Sequence, residues 1–250
     1  MRWPAEAVWE QVAPALPGFT VEVLPELDST NSELMRRARD GLFDPVLLVA
    51  EHQTAGRGRA GRPWQSRPGA SLTFSLGLLL RPRDWSGLSL AAGVAIAEAL
   101  HPDIQLKWPN DLWLAGDRKL GGILIETAST PLDARYAIVG VGLNVAPPAG
   151  DGLSTPPAGL QGIAPGLDAG QALLAVAPLL VQALRLFEHE GFVPFASRFA
   201  QRDILAGRAV RLTDGTEGTA AGVDRAGALV VHTAAGPVAV TSSEVSVRPA

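Results

Sequence analysis

Residues 46–64 read VLLVAEHQTAGRGRAGRPW, a dense apolar segment followed at once by a loop rich in glycine and arginine. A short continuous apolar run bounded by turn residues is typical of a buried strand. The loop has the spacing G-x-G-x-x-G, but a dinucleotide-binding loop opens a helix, and Pro63 and Pro68 disfavour a helix directly after it. The segment therefore predicts a buried strand that ends in a ligand-binding loop of another kind.

Four arginines occur in and just after this loop, with no acidic residue between them: Arg57, Arg59, Arg62 and Arg67. Glycines let a backbone approach a ligand closely, and guanidinium groups bind phosphate through paired hydrogen bonds. The spacing favours an anion-binding loop over two alternatives, which are a solvated basic loop and an Arg-Gly patch that contacts RNA.

Strand and helix patterns alternate on both sides of the loop, as in an α/β domain. The predicted strands are Val21–Leu27, Val46–Glu51, Ser71–Leu80, Ile104–Lys107, Leu112–Leu114, Gly122–Thr127 and Tyr136–Asn144, and the predicted helices are Ser29–Ala38, Leu88–Leu100 and Gln171–Glu190. Residues 146–170 are predicted to form a long loop. Four short strand patterns then predict a small barrel-like module: Arg208–Thr213, Gly218–Val223, Leu229–Thr233 and Val238–Val247. We therefore expect a larger domain over residues 1–205 and a smaller one over residues 206–250.

The composition restricts the functions that the chain can have. Hydrophobic residues make up 47% and charged residues 18%, which is typical of a globular protein. The absence of cysteine excludes disulfides and thiolate metal sites, and four scattered histidines disfavour a histidine zinc site. A net charge of −4 disfavours broad nucleic-acid binding. Neither a signal peptide nor an apolar run that spans a bilayer is apparent, so a cytoplasmic protein is expected.

Lysine is rare, because only Lys107 and Lys119 occur among the 21 basic residues. An ammonium retained in an arginine-rich chain is expected where the wide guanidinium fork cannot replace it. Lys107 begins the segment KWPND, for which a simple turn is as good an explanation as a functional role. Lys119 begins KLGGILIE, in which paired glycines let a ligand lie against the strand, and a partly buried ammonium needs an anionic partner. Asn144 ends another apolar strand, and a role as a turn residue explains it as well as a functional role does.

Together these segments resemble the biotin–protein ligases, also called biotin–[biotin carboxyl carrier protein] ligases. The matching motifs extend through nearly the whole chain and comprise residues 28–31, 53–62, 107–112, 119–126, 142–144 and 244–248. The resemblance implies a class II aminoacyl-tRNA synthetase-like domain with a mixed sheet, followed by a small SH3-like β-barrel. It also implies that biotin reacts with ATP and Mg²⁺ to give biotinyl-5′-adenylate, from which biotin passes to one lysine of a biotin carboxyl carrier protein.

The resemblance further implies residue roles. Lys119, Asp111 and Arg59 would be catalytic, with Lys119 holding the carboxylate and phosphoryl oxygens. The residues implied for biotin are Ser29, Thr30, Asn31, Gln53, Gly56, Arg57, Gly58, Arg59, Lys119 and Gly122. The residues implied for ATP and the adenylate are Arg57, Arg59, Arg62, Trp64, Lys119, Asn144 and Arg248. No side chain is assigned to a metal ion.

Two features depart from the family pattern. Ala60 stands where some members have another arginine, and the residues before Val21 are too few for the helix-turn-helix domain of the bifunctional members. We therefore expect a ligase without repressor function, and a homodimer is consistent with the family. A lipoate–protein ligase is the nearest alternative, whereas a non-catalytic nucleic-acid-binding module is an alternative of another class. The loop together with KWPND favours biotin, and the acidic charge disfavours nucleic acid.

Overall fold

The computed structural model describes residues 2–148, 155–241 and the backbone of residues 247–249. Its larger part is a seven-stranded mixed sheet with helices on both faces. The strands of this sheet are β1 Thr20–Leu27, β2 Val46–Gln53, β3 Ser71–Leu80, β4 Gln105–Lys107, β5 Asp111–Leu114, β6 Arg118–Ser129 and β7 Arg135–Asn144. The helices are α1 Ala5–Val12, α2 Thr30–Arg39, α3 Leu88–Leu100, α4 Ala169–Glu190 and α5 Ala196–Ala200.

The strand order in this sheet is β1-β2-β3-β7-β6-β5-β4. β1 and β2 are parallel, and the other neighbouring strands are antiparallel. Leu47 and Val49 of β2 pack in the core that also contains α3 and α4. Val46 and Leu48 pack on the opposite face against Leu34 of α2. Residues 46–50 of β2 are continuously apolar because helices cover both faces of the strand there.

The first turn of α2 is fixed by its capping residue, Ser29. Ser29 has extended backbone angles, and its Oγ accepts a hydrogen bond from the Ser32 N–H at 3.4 Å. Such a cap satisfies one of the N–H groups that a helix start leaves without a partner. Thr30 and Asn31 follow the cap and are buried against the sheet.

Five further strands form a separate antiparallel β domain. They are β8 Ala209–Leu212, β9 Glu217–Val223, β10 Leu229–Thr233, β11 Gly236–Val240 and β12 Val247–Pro249, arranged in the order β11-β10-β9-β8-β12. The predicted fold class, an α/β core with a small C-terminal β domain, is confirmed. The division at residues 205 and 206 stays a prediction. The single strand predicted over Val238–Val247 is wrong, because β11 ends at Val240; residues 242–246 lie outside the described part of the chain.

Two side-chain contacts join the β domain to the larger domain beside the KWPND segment. The Trp108 Nε1–H donates a hydrogen bond to the Gly227 carbonyl oxygen at 3.0 Å. Arg208 binds Asp117 through both terminal nitrogens, at 2.6 and 2.8 Å. The β domain is therefore fixed next to the hairpin formed by β5 and β6.

Two helices differ from the sequence prediction. α1 is absent from the predicted elements, although Val8 and Val12 lie one turn apart and are both buried. α4 begins at Ala169, because Asp168 and Gln171 form a capping box at its start. By length and composition alone α4 could cross a membrane. However, 56% of its most apolar 18-residue stretch is buried inside the protein, and the helix packs on α3.

Asp203 lies just before the β domain in an environment that disfavours its charge. Burial raises the pKa of Asp203, although its Oδ1 accepts a hydrogen bond from the Leu205 N–H at 2.9 Å. Its Oδ2 is buried and has no hydrogen-bond partner among the described residues. Because the folded-state pKa is raised, this carboxyl contributes stability at acidic pH, and the contribution is lost as the pH rises through that pKa.

Asp203→Asn is therefore expected to increase the free energy of unfolding at neutral pH by about 1 kcal/mol, since it removes a buried charge with an unsatisfied oxygen. The gain should disappear near the ordinary aspartate pKa of about 4. Thermal unfolding at both pH values measures the difference, with the exposed Asp133→Asn as the control. A gain of equal size at both pH values would contradict this account of Asp203.

Candidate active site

A cavity of about 980 Å³ lies on the face of the sheet that carries α2. Its walls are the first turn of α2, strands β3, β5, β6 and β7, and residues 56–64, which we call the arginine–glycine loop. The predicted site residues that line it are Ser29, Thr30, Asn31, Gln53, Arg57, Gly58, Arg59, Arg62, Trp64, Asp111, Lys119, Gly122 and Asn144. The volume is in the range of small-molecule binding sites.

Two predicted residues are not among those that line the cavity. Gly56 lies behind the wall, where a Cβ would stand 2.5 Å from the Trp64 carbonyl oxygen and 2.9 Å from Gln53 Nε2. Its missing side chain lets the chain fold back on itself, so its role here is in the shape of the loop. The side chain of Arg248 lies outside the described part of the chain, and its contact with the adenylate stays a prediction.

Small residues in neighbouring strands form the floor of the cavity. Gly142 of β7 pairs with Gly122 of β6 and with Thr73 of β3. Gly122 pairs in turn with Asp111 of β5. Gly140 lies two residues along β7 from Gly142, and Asn31 occupies the space beside it. Cross-strand partners point to the same face of a sheet. The register therefore places the Asp111 carboxylate beside Gly122, a position without a side chain.

The inner end of the cavity is a network of uncharged polar groups. The Thr30 N–H and hydroxyl both donate to Gln53 Oε1, at 2.8 and 3.2 Å. The Ser75 hydroxyl lies 2.7 Å from Thr30 Oγ1 and 2.6 Å from Asn31 Oδ1. Because these side chains hold one another and are buried, the network is preorganised for a neutral polar ligand group.

The end of the cavity around Lys119 and Asp111 carries charge. Lys119 Nζ donates to Asp111 Oδ1 at 2.7 Å, and about a third of the Lys119 side chain is exposed. Five basic and three acidic side chains line the cavity: Arg57, Arg59, Arg62, Lys107 and Lys119 against Asp111, Asp117 and Glu126. The excess of positive charge favours an anionic ligand.

Arg59 is a partly buried cation of the loop. Burial lowers the pKa of Arg59, the Asp111 charge acts in the opposite direction, and Arg62 lowers it further. A guanidinium nevertheless stays charged in proteins. Its partial burial reduces screening by salt. Lys119 and Arg59 are therefore two cations near the same carboxylate, at the end of the cavity that favours anions.

The arginine–glycine loop folds as a small hairpin. The Trp64 N–H donates to the Gly56 carbonyl oxygen at 2.8 Å, and the Gly58 N–H donates to that of Arg62 at 2.7 Å. Ala60 has φ 53° and ψ 35° within a single 3₁₀ turn, a left-handed conformation that few non-glycine residues adopt. The prediction that this glycine spacing does not open an α-helix is confirmed.

Trp64 forms an aromatic wall next to the cationic end. Its ring lies on β7, where a Cβ added to Gly142 would stand 2.5 Å from it. The Trp64 Nε1 is buried without a hydrogen-bond partner among the described residues. Asn144 ends β7 beside this wall, and its Nδ2 donates to the Lys119 carbonyl oxygen at 3.4 Å. The geometry thus presents a flat apolar surface beside polar groups.

The structure adds residues that have no role in the sequence prediction. Glu126 accepts hydrogen bonds from Arg57 Nη2 at 2.7 and 3.0 Å, and Ser75 belongs to the inner polar network. Lys107 lines the cavity and is only 8% exposed. The segment KLGGILIE could have indicated Glu126 as a site residue. Side chains alternate between the two faces of a strand, so Glu126 lies on the same face of β6 as Gly122.

Comparison with known proteins agrees with this geometry. The model of the biotin/lipoate A/B protein ligase family matches residues 24–144, and that of the biotin protein ligase C-terminal domain matches residues 206–248. The chain is 37% identical to the bifunctional ligase/repressor BirA of Escherichia coli (strain K12), over 89% of this chain and 72% of that protein. It is 32% identical to the biotin–[acetyl-CoA-carboxylase] ligase of Paracoccus denitrificans, over 89% and 98% of the two chains.

A solved structure, biotin protein ligase from Aquifex aeolicus in complex with biotin and ATP, is similar with a TM-score of 0.78 and 28% identity. The similarity covers 92% of this chain and 99% of the other. The family models and these relatives, matched along most of the sequence, lead to one conclusion: the chain is a ligase that belongs to the biotin protein ligase family.

Proposed function

We propose that this enzyme activates biotin with ATP as biotinyl-5′-adenylate and then transfers biotin to one lysine of a biotin carboxyl carrier protein. The observation that carries the proposal is the division of one cavity into an uncharged polar end and a cationic end. Biotin is divided in the same way, with a ureido ring at one end and a carboxylate at the other. The phosphates of ATP add further negative charge at the cationic end.

In this proposal Ser29, Thr30, Asn31 and Gln53 surround the ureido ring. The Asn31 Nδ2 already donates to two acceptors on β6, at 3.2 and 2.9 Å. The Asn31 Oδ1 lies beside the Ser75 hydroxyl and keeps a second accepting position. Asn31 is therefore suited to a ligand N–H group, which a ureido ring supplies.

Gly140→Ala is expected to weaken biotin binding by about tenfold, the order of one hydrogen bond. A Cβ at this position would stand 2.1 Å from Asn31 Oδ1, and the bonds of Asn31 to β6 prevent it from moving away freely. Calorimetric titration with biotin measures the affinity. Gly162→Ala, where an added Cβ meets nothing within 4 Å, is the control. Unchanged affinity in a folded Gly140→Ala protein would remove Asn31 from the proposed biotin site.

The first proposed step joins biotin to AMP. A carboxylate oxygen attacks the α-phosphorus of ATP, the new P–O bond forms, and the bond to the β-phosphate breaks as pyrophosphate leaves with its electron pair. Lys119, Arg57 and Arg59 neutralise the carboxylate and phosphoryl oxygens, while Gly58 and Gly122 leave room for them beside the backbone. Bringing two anions together makes positioning and charge neutralisation the main tasks of the site.

Asp111 orients Lys119 in this step, through the 2.7 Å contact with its Nζ. Arg62, Trp64, Asn144 and Arg248 complete the proposed adenylate site. No three His, Cys, Asp or Glu side chains form a metal-binding group in the described parts of the chain. We therefore propose that Mg²⁺ enters with ATP and is bound mainly by the phosphates.

The second proposed step transfers biotin to the carrier. The lysine nitrogen attacks the acyl carbon, the C–N bond forms, and the C–O bond to AMP breaks as AMP leaves with its electron pair. The amine proton passes to solvent. Asp111 is placed to orient the incoming amine, and the arginine–glycine loop limits the access of water to the acyl-adenylate.

Acylation of an isolated carrier domain tests the proposal. The enzyme is incubated with ATP, Mg²⁺ and either biotin or lipoate, and the carrier is followed by intact-mass spectrometry. We expect one biotin per carrier, dependent on ATP, and none on a carrier whose target lysine is replaced by arginine. Acylation by lipoate without acylation by biotin would identify a lipoate ligase instead, and no acylation by either acid would contradict the proposed transfer.

A further inference from the structure

Glu126 connects two parts of the site that have separate roles in the proposed function. Its Oε2 accepts hydrogen bonds from Arg57 Nη2 at 2.7 Å and from Asn31 Nδ2 at 2.9 Å. Its Oε1 also lies 3.0 Å from Arg57 Nη2. Arg57 belongs to the arginine–glycine loop, whereas Asn31 belongs to the inner polar network. One carboxylate on β6 thus joins the loop to the wall of the cavity.

The position of this carboxylate is set independently of the loop. Glu126 lies within β6 and pairs with Ile138 of β7. Asn31, its second partner, is fixed by the Leu124 carbonyl oxygen and by the Ser75 hydroxyl. About a quarter of the Glu126 side chain is exposed, so its attraction for Arg57 is only partly screened. Glu126 is therefore a preformed acceptor to which the loop attaches.

The contact leaves Arg57 able to bind a ligand at the same time. Glu126 engages Nη2 alone, and the other guanidinium nitrogens make no hydrogen bond to any described residue. The Arg57 side chain is 44% exposed and lines the cavity. A guanidinium has five N–H donors. An anionic ligand can thus bind Arg57 without displacing Glu126.

We infer that Glu126 is a positioning residue that holds Arg57, and with it the arginine–glycine loop, over the acyl-adenylate. The carboxylate keeps the loop closed before the ligand binds and slows the escape of the intermediate before the acceptor lysine arrives. The inference rests on the proposed function for the identity of the ligand. The position of the loop can be tested without any ligand.

The first experiment uses the ligand-free enzyme. Trypsin cleaves after arginine unless proline follows, so the loop offers cleavage sites after Arg57 and Arg59 but not at the Arg62–Pro63 bond. We expect Glu126→Gln to accelerate cleavage within the loop by at least about threefold, because loss of the contact lowers the cost of local opening. The matched control is Glu22→Gln, which weakens the ion pair with Arg37 in the last turn of α2; neither residue lines the cavity.

Arg57→Ala removes the same contact from the other side, so it should accelerate cleavage after Arg59 by a similar factor. This variant also tests the inference if Glu126→Gln does not fold. Unchanged cleavage of both variants, or equal acceleration in Glu22→Gln, would overturn the inference.

The second experiment measures the release of the acyl-adenylate from the preloaded enzyme. We expect Glu126→Gln to release it about tenfold faster than the wild type, while the rate of adenylate formation changes less. Adding Glu126→Gln to Arg57→Ala should cause little further release, because both substitutions remove one contact. A purely structural effect would instead add to that of Arg57→Ala.

The outcomes separate the two claims. If the wild type forms the adenylate and Glu126→Gln retains it equally well, the inference fails and the proposed function stands. Slower release would mean that Glu126 competes with the ligand for Arg57, which also overturns the inference. If the wild type forms no adenylate, the proposed function fails, and trypsin cleavage alone decides whether Glu126 holds the loop.

Discussion

Lys119→Arg is expected to retain biotin binding but to lose about 100- to 1,000-fold in the rate of adenylate formation, the range for removal of one preorganised charge-stabilising group. Lys119 Nζ lies 2.7 Å from Asp111 Oδ1, and a Cβ added to Gly122 would stand 3.7 Å from it. The space is suited to a compact ammonium. A planar guanidinium spreads its charge and directs its donors as a fork, so it cannot take the same position.

Two measurements check this prediction. Single-turnover formation of the adenylate at saturating biotin gives the rate, and equilibrium titration with biotin gives the affinity. Arg118→Lys, at the exposed neighbouring position of β6 and outside the cavity lining, is the control and should keep the wild-type rate. A near wild-type rate in Lys119→Arg would mean that Lys119 is not the catalytic cation.

Arg59→Ala is expected to lower kcat/KM for ATP by about 10- to 100-fold, which corresponds to the loss of a hydrogen bond to a charged group. Arg59 is partly buried, and burial lowers its pKa. Its charge is therefore less screened than that of an exposed arginine, and it lies at the end of the cavity where the phosphates are proposed to bind. The affinity for biotin alone should change much less, since the inner polar network is untouched.

Steady-state pyrophosphate release at varied ATP measures this effect. Arg67→Ala is the matched control, because Arg67 is exposed and its side chain donates, among the described residues, only a 3.5 Å hydrogen bond to the Pro147 carbonyl oxygen. Both substitutions remove one positive charge from the same segment. An equal loss in both variants would show that only the general charge of the segment matters, and no loss in Arg59→Ala would exclude a role in ATP binding.

Local sequence patterns were sufficient for most of the fold. The apolar run of β2 and the glycine–proline spacing of the loop act through neighbouring residues, so both could be read directly. α1 was missed because its amphipathic pattern covers only eight residues, Ala5–Val12. The sequence did not decide between a simple turn and a functional role for the KWPND segment. In the structure Asn110 makes a structural contact, since its Nδ2 donates a hydrogen bond to the Ile123 carbonyl oxygen at 2.7 Å.

Contacts between distant strands could not be read in this way. Arg57 and Glu126 are separated by 69 positions, and the Ser75 hydroxyl reaches Asn31 across 44 positions. Both contacts depend on the register of the sheet, and a shift of one residue would turn these side chains to the other face. The motifs therefore located the site, while the register determines which side chains meet in it.

The most direct test of the account is exchange of labelled pyrophosphate into ATP in the absence of any carrier protein. This exchange reports reversible formation of the acyl-adenylate alone. We expect exchange that requires biotin, is not supported by lipoate, and is lost almost completely in Lys119→Arg but not in Arg118→Lys. Exchange that proceeds without biotin, or that is absent in the wild-type enzyme with biotin and MgATP, would contradict activation of biotin in this cavity.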